Sequence, residues 1–305
     1  MTFLTTTRCR RLVAWLLCGL SCTIFAGIAA AVQETAAAFR IGFSSTMFTD
    51  VNENDARAAI KVWGDMIVKE KNLPVATTPR FFDNLEALEE SLRQKNTDVV
   101  AVTVSEYEQL LRHADFAPLF ITYHSGVPDE SYLLLVHRDG PIKTLNDLRG
   151  RNLNLYNDPR ADLALAWLDV HLIQQGHAAT SSFFGKKTAH NKLNNVILPV
   201  FFRQVDACLV TRSGLEIMGE LNPQVGRQLV VLGESEAMIP AVFAFRADFS
   251  SPHRSDILAG VAELDKSPAG SQVLTIFNSQ RIVEKPASAL ESALKLIERH
   301  REVTQ

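Results

Sequence analysis

Hydroxyl-bearing side chains lie at the ends of two predicted strands, 39–43 and 98–104. They are Ser44, Ser45, Thr46, Thr103 and Ser105. Because a hydroxyl both donates and accepts hydrogen bonds, such a group can hold a small polar molecule. Each group also has a structural interpretation: residues 44–46 as an ordinary turn or cap, and Ser105 as the N-cap of a helix at 106–113. Capping and binding are compatible, because a helix N-terminus also attracts anions.

Two charged side chains stand in the segment 156–162, a turn that precedes a predicted helix. Arg160 presents five donors in a planar fork, which suits a carboxylate or a phosphate group. Asp158 would repel a dianion bound beside it, and its short side chain fits a helix N-cap. The segment therefore predicts contact with an anionic or zwitterionic ligand through Arg160, with a solvated surface arginine as the alternative.

Motifs of nucleophilic or metal-assisted catalysis do not occur in the sequence. It contains no Gly-x-Ser-x-Gly, no His-Glu-x-x-His and no Gly-x-x-x-x-Gly-Lys. The eight histidines lack the paired spacing of metal ligands, so we expect neither a metal nor a cofactor. A secreted enzyme stays as an alternative, because a triad assembled in space leaves no sequence motif. The net charge of −3, with few aromatic residues near lysines, excludes a nucleic-acid partner.

Short apolar strands alternate with amphipathic helices along the chain, which predicts parallel βαβ units in an α/β fold. Strands are predicted at 39–43, 79–82, 98–104, 116–123, 131–137, 152–156, 195–198, 207–210, 228–232 and 241–246. Helices are predicted at 55–71, 85–94, 106–113, 144–150 and 161–175. The polar stretch 181–195 is predicted to be a surface loop or a weak helix. Everything after Pro252 is predicted to be helical, with breaks at Pro268 and Pro286.

The N-terminal residues have the pattern of a secretory signal peptide. Three arginines within 8–11 precede an apolar run at 12–28, and three alanines follow at 29–31, where we expect cleavage. A retained membrane anchor is the alternative, since seventeen apolar residues are at the lower limit of a span. Removal of these 31 residues, which contain three arginines and no acid, would leave 274 residues with 28 basic and 34 acidic side chains. One of the four cysteines, Cys208, would remain, and its apolar strand places it in the core.

Several short motifs occur in a recognisable order. LNDLRGR at 145–151 lies between two strands, and VDACLV at 205–210 has an earlier counterpart, TDVVAV, at 97–102. QLVVLGES at 228–235 then leads to Ile239-Pro240. This order resembles the phosphonate-binding-like group of type 2 periplasmic solute-binding proteins, which includes phosphate- and phosphite-binding members, over nearly the whole chain after the signal segment.

The resemblance implies an α/β fold of two lobes, joined by two crossover strands, with the ligand in the cleft between them. The first lobe would be discontinuous, made of 36–137 plus 238–305. The second lobe would be 138–237. One large doubly wound domain is the alternative.

The resemblance also implies which side chains face the cleft. Tyr107 and His190 match family positions beside it, and Thr211 would reach it from the second lobe. In the family, a turn rich in serine and threonine holds the oxyanion where this sequence has the segment 156–162. That departure puts phosphonate itself in question and keeps an anionic or zwitterionic ligand open.

The sequence thus predicts a periplasmic solute-binding protein rather than an enzyme. Its ligand would be a small anion or zwitterion, either phosphonate- or phosphate-like or a carboxylate. The protein would be a monomer, and in its ligand-bound form it would deliver this ligand to an ABC permease. A membrane histidine kinase or cyclase that senses the loaded protein is the alternative partner.

Overall fold

The computed structural model describes residues 37–48, 52–70 and 75–304. The predicted signal peptide lies outside these described residues. No helix within them is long and apolar enough to cross a membrane.

Strands and helices alternate through the described residues. The strands are β1 (Ala37–Ser44), β2 (Val75–Phe82), β3 (Val99–Thr103), β4 (Phe116–Tyr123), β5 (Tyr132–His137), β6 (Leu153–Tyr156), β7 (Lys187–His190), β8 (Ala207–Thr211), β9 (Leu229–Glu234), β10 (Ala241–Arg246) and β11 (Arg281–Lys285). The α-helices are α1 (Glu53–Glu70), α2 (Leu85–Arg93), α3 (Val104–Leu110), α4 (Ala164–Gln174), α5 (Thr180–Phe183), α6 (Leu193–Phe201), α7 (Arg212–Leu221), α8 (Pro223–Gln228), α9 (Arg254–Ala262), α10 (Pro268–Ile276) and α11 (Glu291–Thr304). Short 3-10 helices cover Ser45–Met47, Leu145–Leu148, Pro159–Ala161, Leu264–Lys266 and Ala287–Leu290.

The strands form two sheets. The six-stranded sheet has the order β11-β4-β10-β3-β1-β2, and the five-stranded sheet has the order β7-β6-β8-β5-β9. Parallel pairing joins β1 to β2 and β3, and β6 to β7 and β8. The predicted parallel units are present, and β5, β10 and β11 are added to them as strands that run antiparallel to their neighbours. β5 and β10 are the strands that follow each passage of the chain between the sheets. No helical crossover precedes either strand, so each one runs in the direction opposite to the neighbouring strand of the sheet that it joins.

The prediction differs from the structure in one segment predicted as a strand and in two edge strands that were not predicted. Residues 195–198, predicted as a strand, belong to α6, whose buried Val196, Ile197 and Val200 line one helical face. A short apolar run does not distinguish a buried helix from a strand. The neighbouring strand β7 lies inside the segment predicted as a loop, since no residue of this edge strand is fully buried. β11 has one fully buried residue, Ile282, and was taken for part of a helix.

The two connections between the sheets run side by side. Glu130 on the first and Met238 on the second form an antiparallel bridge, with N–O distances of 2.8 and 2.9 Å. Strand β5 follows the first connection and hydrogen-bonds to β8 and β9. This pairing puts 132–137 in the five-stranded sheet, although the boundaries expected from sequence assign them to the first lobe. Cys208 on β8 is fully buried and free, which confirms its predicted place in the core.

Candidate ligand-binding site

A cavity of about 100 Å³ lies between the six-stranded sheet and the turn that follows β6. β1, β3 and β10 line one side, and residues 158–160 line the other. Its polar lining includes Thr122, Asp158, Arg160 and Asn278. The cavity therefore lies where the ends of the strands of one sheet face an element attached to the other, which is the usual place for a ligand in α/β proteins.

The hydroxyl groups predicted at the ends of β1 and β3 come together, and they bind one carboxylate of the chain itself. Ser44 Oγ donates to Glu106 Oε1 at 2.5 Å, and Thr46 Oγ1 lies 3.0 Å from both oxygens of that carboxylate. Thr103 donates its backbone N–H to Glu106 Oε2 at 3.1 Å. Glu106 is only 9% exposed. Because this carboxylate takes the hydrogen bonds that these groups could offer, it occupies the place of an external anion.

The N-cap of α3 is Thr103, and the prediction of Ser105 in that role is wrong. Thr103 Oγ1 accepts from the backbone N–H of Glu106, while the Glu106 side chain accepts from the N–H of Thr103. This reciprocal capping box satisfies two N–H groups at once. It leaves Ser105 free to make a contact outside the helix.

Ser105 instead joins the two sides of the molecule. Its backbone N–H and its hydroxyl both donate to Asp162, at 3.1 and 2.7 Å. Asp162 follows the turn at 158–160. Burial raises the pKa of Asp162 to about 6, and the charge of Glu106 adds to the rise although the hydrogen bonds from Ser105 oppose it. The residue as a whole keeps some exposure, but its carboxylate is largely withdrawn from water.

Arg160 is held beside the cavity by Glu130, which lies on the first connection between the sheets. Arg160 Nε donates to Glu130 Oε2 at 3.1 Å, and Nη2 donates to the carbonyl oxygen of Asp129 at 3.3 Å. The Glu130 carboxylate also accepts from the backbone N–H of Ser213 at 3.1 Å and from its hydroxyl. Glu130 is 4% exposed. The contact of Arg160 with a buried carboxylate is not that of a solvated surface arginine.

Asp158 and Thr211 serve as caps. Asp158 Oδ1 accepts from the backbone N–H of Arg160 at 2.9 Å, and the Tyr156 hydroxyl donates to Oδ2 at 3.1 Å. Thr211 is the N-cap of α7, where its hydroxyl accepts from the N–H of Gly214 at 3.1 Å. Asp158 lines the cavity as well, so capping does not remove it from the site.

Three further predicted residues differ in their surroundings. Ser45 is half-buried in the 3-10 helix after β1. Tyr107 is buried in the core, 5.5 Å from the ring of Phe116, and burial raises its pKa. His190 ends the edge strand β7, where its carbonyl oxygen accepts from the N–H of Asn157 at 3.0 Å. Of the predicted site residues, only Asp158 and Arg160 are among the described residues that line the cavity, so these three and the hydroxyl-bearing residues at 44, 46, 103, 105 and 211 lie outside its lining.

Three carboxylates that organise this region were not predicted. Glu106 had a signal in the sequence, because Thr103-x-x-Glu106 has the spacing of a capping box. Asp162 belongs to the segment singled out for Asp158 and Arg160. Nothing in the sequence indicates Glu130, whose partners lie up to 83 residues away. Among the described residues, no group of three or more acidic, histidine or cysteine side chains could hold a metal ion.

Residues 46–289 match the model of a family described as the periplasmic substrate-binding proteins of phosphonate ABC transporters. The chain belongs to this family. Its members are periplasmic binding components of transporters, which act with a small-molecule ligand and a permease. The prediction of a solute-binding protein of this group is therefore confirmed. No curated protein matches the sequence.

Solved structures share the fold at low sequence identity. An ATP-bound protein from Xanthomonas citri has a TM-score of 0.65 at 15% identity, covering 88% of this chain and 98% of its own. The methylphosphonate complex of PhnD1 from Prochlorococcus marinus has a TM-score of 0.60 at 14% identity, covering 88% and 99%. A binding component of a phosphonate transporter from Pseudomonas aeruginosa has a TM-score of 0.60 at 14% identity, covering 88% of each chain. The predicted two-lobed α/β fold of type 2 periplasmic binding proteins is confirmed.

Proposed function

We propose that this chain captures a small anionic or zwitterionic molecule between its lobes and delivers it to an ABC permease. The observation that carries the proposal is Arg160, a cation that reaches the cavity from the five-stranded side and faces the six-stranded sheet. The anionic ligands named for two structural relatives, methylphosphonate and ATP, support a ligand with a negative group.

We infer that the lobes follow the sheets. The first lobe would comprise 37–123 with 241–304, and the second 132–234. The two connections, bridged at Glu130 and Met238, would form the hinge. Domain closure around a ligand requires only a few connecting residues that absorb the change in backbone angles, and these two short connections would supply them.

The charges beside the cavity favour a ligand head with a single negative charge. Arg160 uses Nε and Nη2 in hydrogen bonds within the chain, to Glu130 and to the carbonyl oxygen of Asp129. Glu130 places a carboxylate at the guanidinium of Arg160, and Asp158 places a second carboxylate in the lining of the same cavity. A dianion would meet both, whereas a carboxylate or a zwitterion would gain the contact with Arg160 at lower electrostatic cost. We therefore expect carboxylates and zwitterions to bind more tightly than dianions of equal size.

Export and assembly complete the proposal. Residues 1–31 would direct the chain to the periplasm and then be removed. The mature chain would act as a monomer and bind no nucleic acid. Its acidic net charge, after loss of the three arginines in that segment, is consistent with the absence of a nucleic-acid surface.

The test compares Arg160→Gln with Arg203→Gln. Arg203 is an exposed arginine 3.6 Å from Asp139, so it is a matched control outside the cavity. A thermal-shift screen of carboxylates, amino acids, sulfonates and phosphonates first identifies a ligand, because binding to the native state raises the melting temperature. By titration calorimetry, we expect Arg160→Gln to weaken binding at least tenfold and Arg203→Gln to leave it unchanged. Equal affinities in both variants would refute the role of Arg160.

A further inference from the structure

The cavity beside Arg160 continues into an apolar space between the six-stranded sheet and helices α1 and α10. Its lining there is Ile41, Phe43, Ile60, Trp63, Leu274 and Phe277. All but Phe277 are at most 5% exposed. The whole cavity, including its polar end at Arg160, has a volume of about 100 Å³, which is of the same order as that of an engineered apolar cavity, roughly 150 Å³, that accepts benzene. The space therefore fits one small ring or a short branched alkyl group.

A group of aromatic rings builds one wall of this space. The ring of Phe43 lies 5.8 Å from Phe277, 5.3 Å from Phe81 and 5.8 Å from Phe48. Phe48 and Phe277 also pack on each other at 5.4 Å. Rings in mutual contact cannot move singly into the empty volume, so this wall resists collapse. A preformed apolar space results.

A buried donor without a partner lies at the same place. Trp63 lines the cavity, is 5% exposed, and its indole N–H has no hydrogen-bond partner in the described part of the chain. An unsatisfied buried donor destabilises a fold by about 1–3 kcal/mol. Protein interiors also leave few voids larger than a water molecule. Trp63 also borders a smaller space that it shares with Thr77. A bound molecule that fills the cavity beside Arg160 would reduce the cost of the void.

The polar groups that could surround a larger ionic ligand are already bound within the chain. Glu106 takes the hydroxyls of Ser44 and Thr46, and Asp162 takes both donors of Ser105. Arg160 is then the charged donor that faces the cavity, and the remaining volume is bounded mainly by hydrocarbon. Binding energy must therefore come largely from apolar contact.

We propose that the ligand is an amphiphile whose aliphatic or aromatic body, about one ring in size, occupies this apolar space while its head contacts Arg160. The proposal rests on the proposed function, because it describes the same site. It adds that the apolar body, rather than the charged head, determines which molecule is bound.

Carboxylates that differ only in their apolar group test how much the apolar body contributes to the affinity. Acetate, cyclohexylacetate and phenylacetate share one head and differ in the group that would enter the space. Titration calorimetry should give phenylacetate and cyclohexylacetate an affinity roughly 100-fold above that of acetate, as expected for burial of one apolar ring. If the wild-type protein binds all three equally, the inference is overturned and the proposed function stands. If none of these probes and no molecule of the wider screen binds, the proposed function fails as well.

A variant that fills the space provides the second arm. Ala241 is half-buried on β10 and lines the cavity, so Ala241→Leu would occupy its volume, and Ala241→Val would occupy less. Ala178→Leu, at an exposed position outside the cavity, is the control. We expect Ala241→Leu to reduce the advantage of phenylacetate over acetate to less than fivefold, Ala241→Val to reduce it partly, and the control to retain it. An unreduced advantage in an Ala241→Leu protein with a wild-type melting temperature would overturn the inference.

Discussion

Asp162 makes the stability of this protein depend on pH in a direction opposite to that of most carboxylates. Its carboxylate accepts two hydrogen bonds from Ser105, yet burial raises its pKa from 3.8 to about 6, with a further contribution from the charge of Glu106. The fold thus favours the protonated side chain. Its contribution to stability is complete below about pH 4 and is lost as the pH rises through 6.

The magnitude follows from the shift. One pKa unit corresponds to about 1.4 kcal/mol, so a rise from 3.8 to about 6 corresponds to about 3 kcal/mol. Asp162→Asn removes the charge and keeps the shape. An asparagine at 162 can accept from the Ser105 N–H through Oδ1 and donate to the Ser105 hydroxyl through Nδ2. We expect the variant to match the wild-type stability near pH 4 and to exceed it by up to about 3 kcal/mol at pH 7.5.

Urea unfolding at pH 4, 5, 6, 7 and 7.5, followed by circular dichroism, measures the difference between variant and wild type. Subtracting the two curves cancels the titration of groups that do not interact with Asp162. Asp83→Asn, at an exposed aspartate, is the matched control and should stay within about 0.5 kcal/mol of wild type throughout. A variant less stable than wild type at pH 7.5 would refute the reasoning. It would mean that the ionised carboxylate gains more from Ser105 than burial costs it.

Three further variants or reactions test other parts of the structure by urea unfolding or thiol labelling. Thr103→Ala removes the N-cap of α3 and should cost about 1 kcal/mol, and an unchanged stability would contradict its capping role. Glu130→Ala leaves the partly buried Arg160 without its carboxylate partner and should cost about 3–5 kcal/mol. Glu234→Ala removes the exposed partner of Arg212 and should cost less than about 1 kcal/mol. Similar losses in the two variants would contradict the buried character of the Arg160 pair. Burial raises the pKa of the Cys208 thiol, so a thiol reagent should label it only on unfolding, and rapid labelling of native protein would place it outside the core.

The strands that sequence reasoning found are those with continuous or alternating apolar residues. β3 is buried at every position, and β4 was predicted with the bounds that it has. The edge strands β7 and β11 were missed because their side chains are mostly exposed or half-buried. The antiparallel direction of β5 and β10 follows from where the chain passes between sheets, which no local pattern encodes.

The residues of the site also fall into those that were predicted from the sequence and those that were not. The hydroxyls after β1 and β3 and the charged turn at 158–160 were found from residue type and from their place at strand ends. Their partners were not, because Ser105 meets Asp162 across 57 residues and Glu130 meets Ser213 across 83. These partners change the chemistry of the site, since carboxylates of the chain satisfy hydroxyls that had been assigned to a ligand. The apolar space behind Arg160 also arises only from packing, where helices α1 and α10 cover the sheet.

Small-angle X-ray scattering with and without a saturating ligand tests the central claim most directly. The ligand would be phenylacetate or the tightest molecule of the thermal-shift screen, at a concentration shown by calorimetry to fill the site. Closure of the two lobes about the bridge between Glu130 and Met238 predicts a smaller radius of gyration in the ligand-bound protein. An unchanged radius at saturation would contradict a solute-binding protein that closes on its ligand.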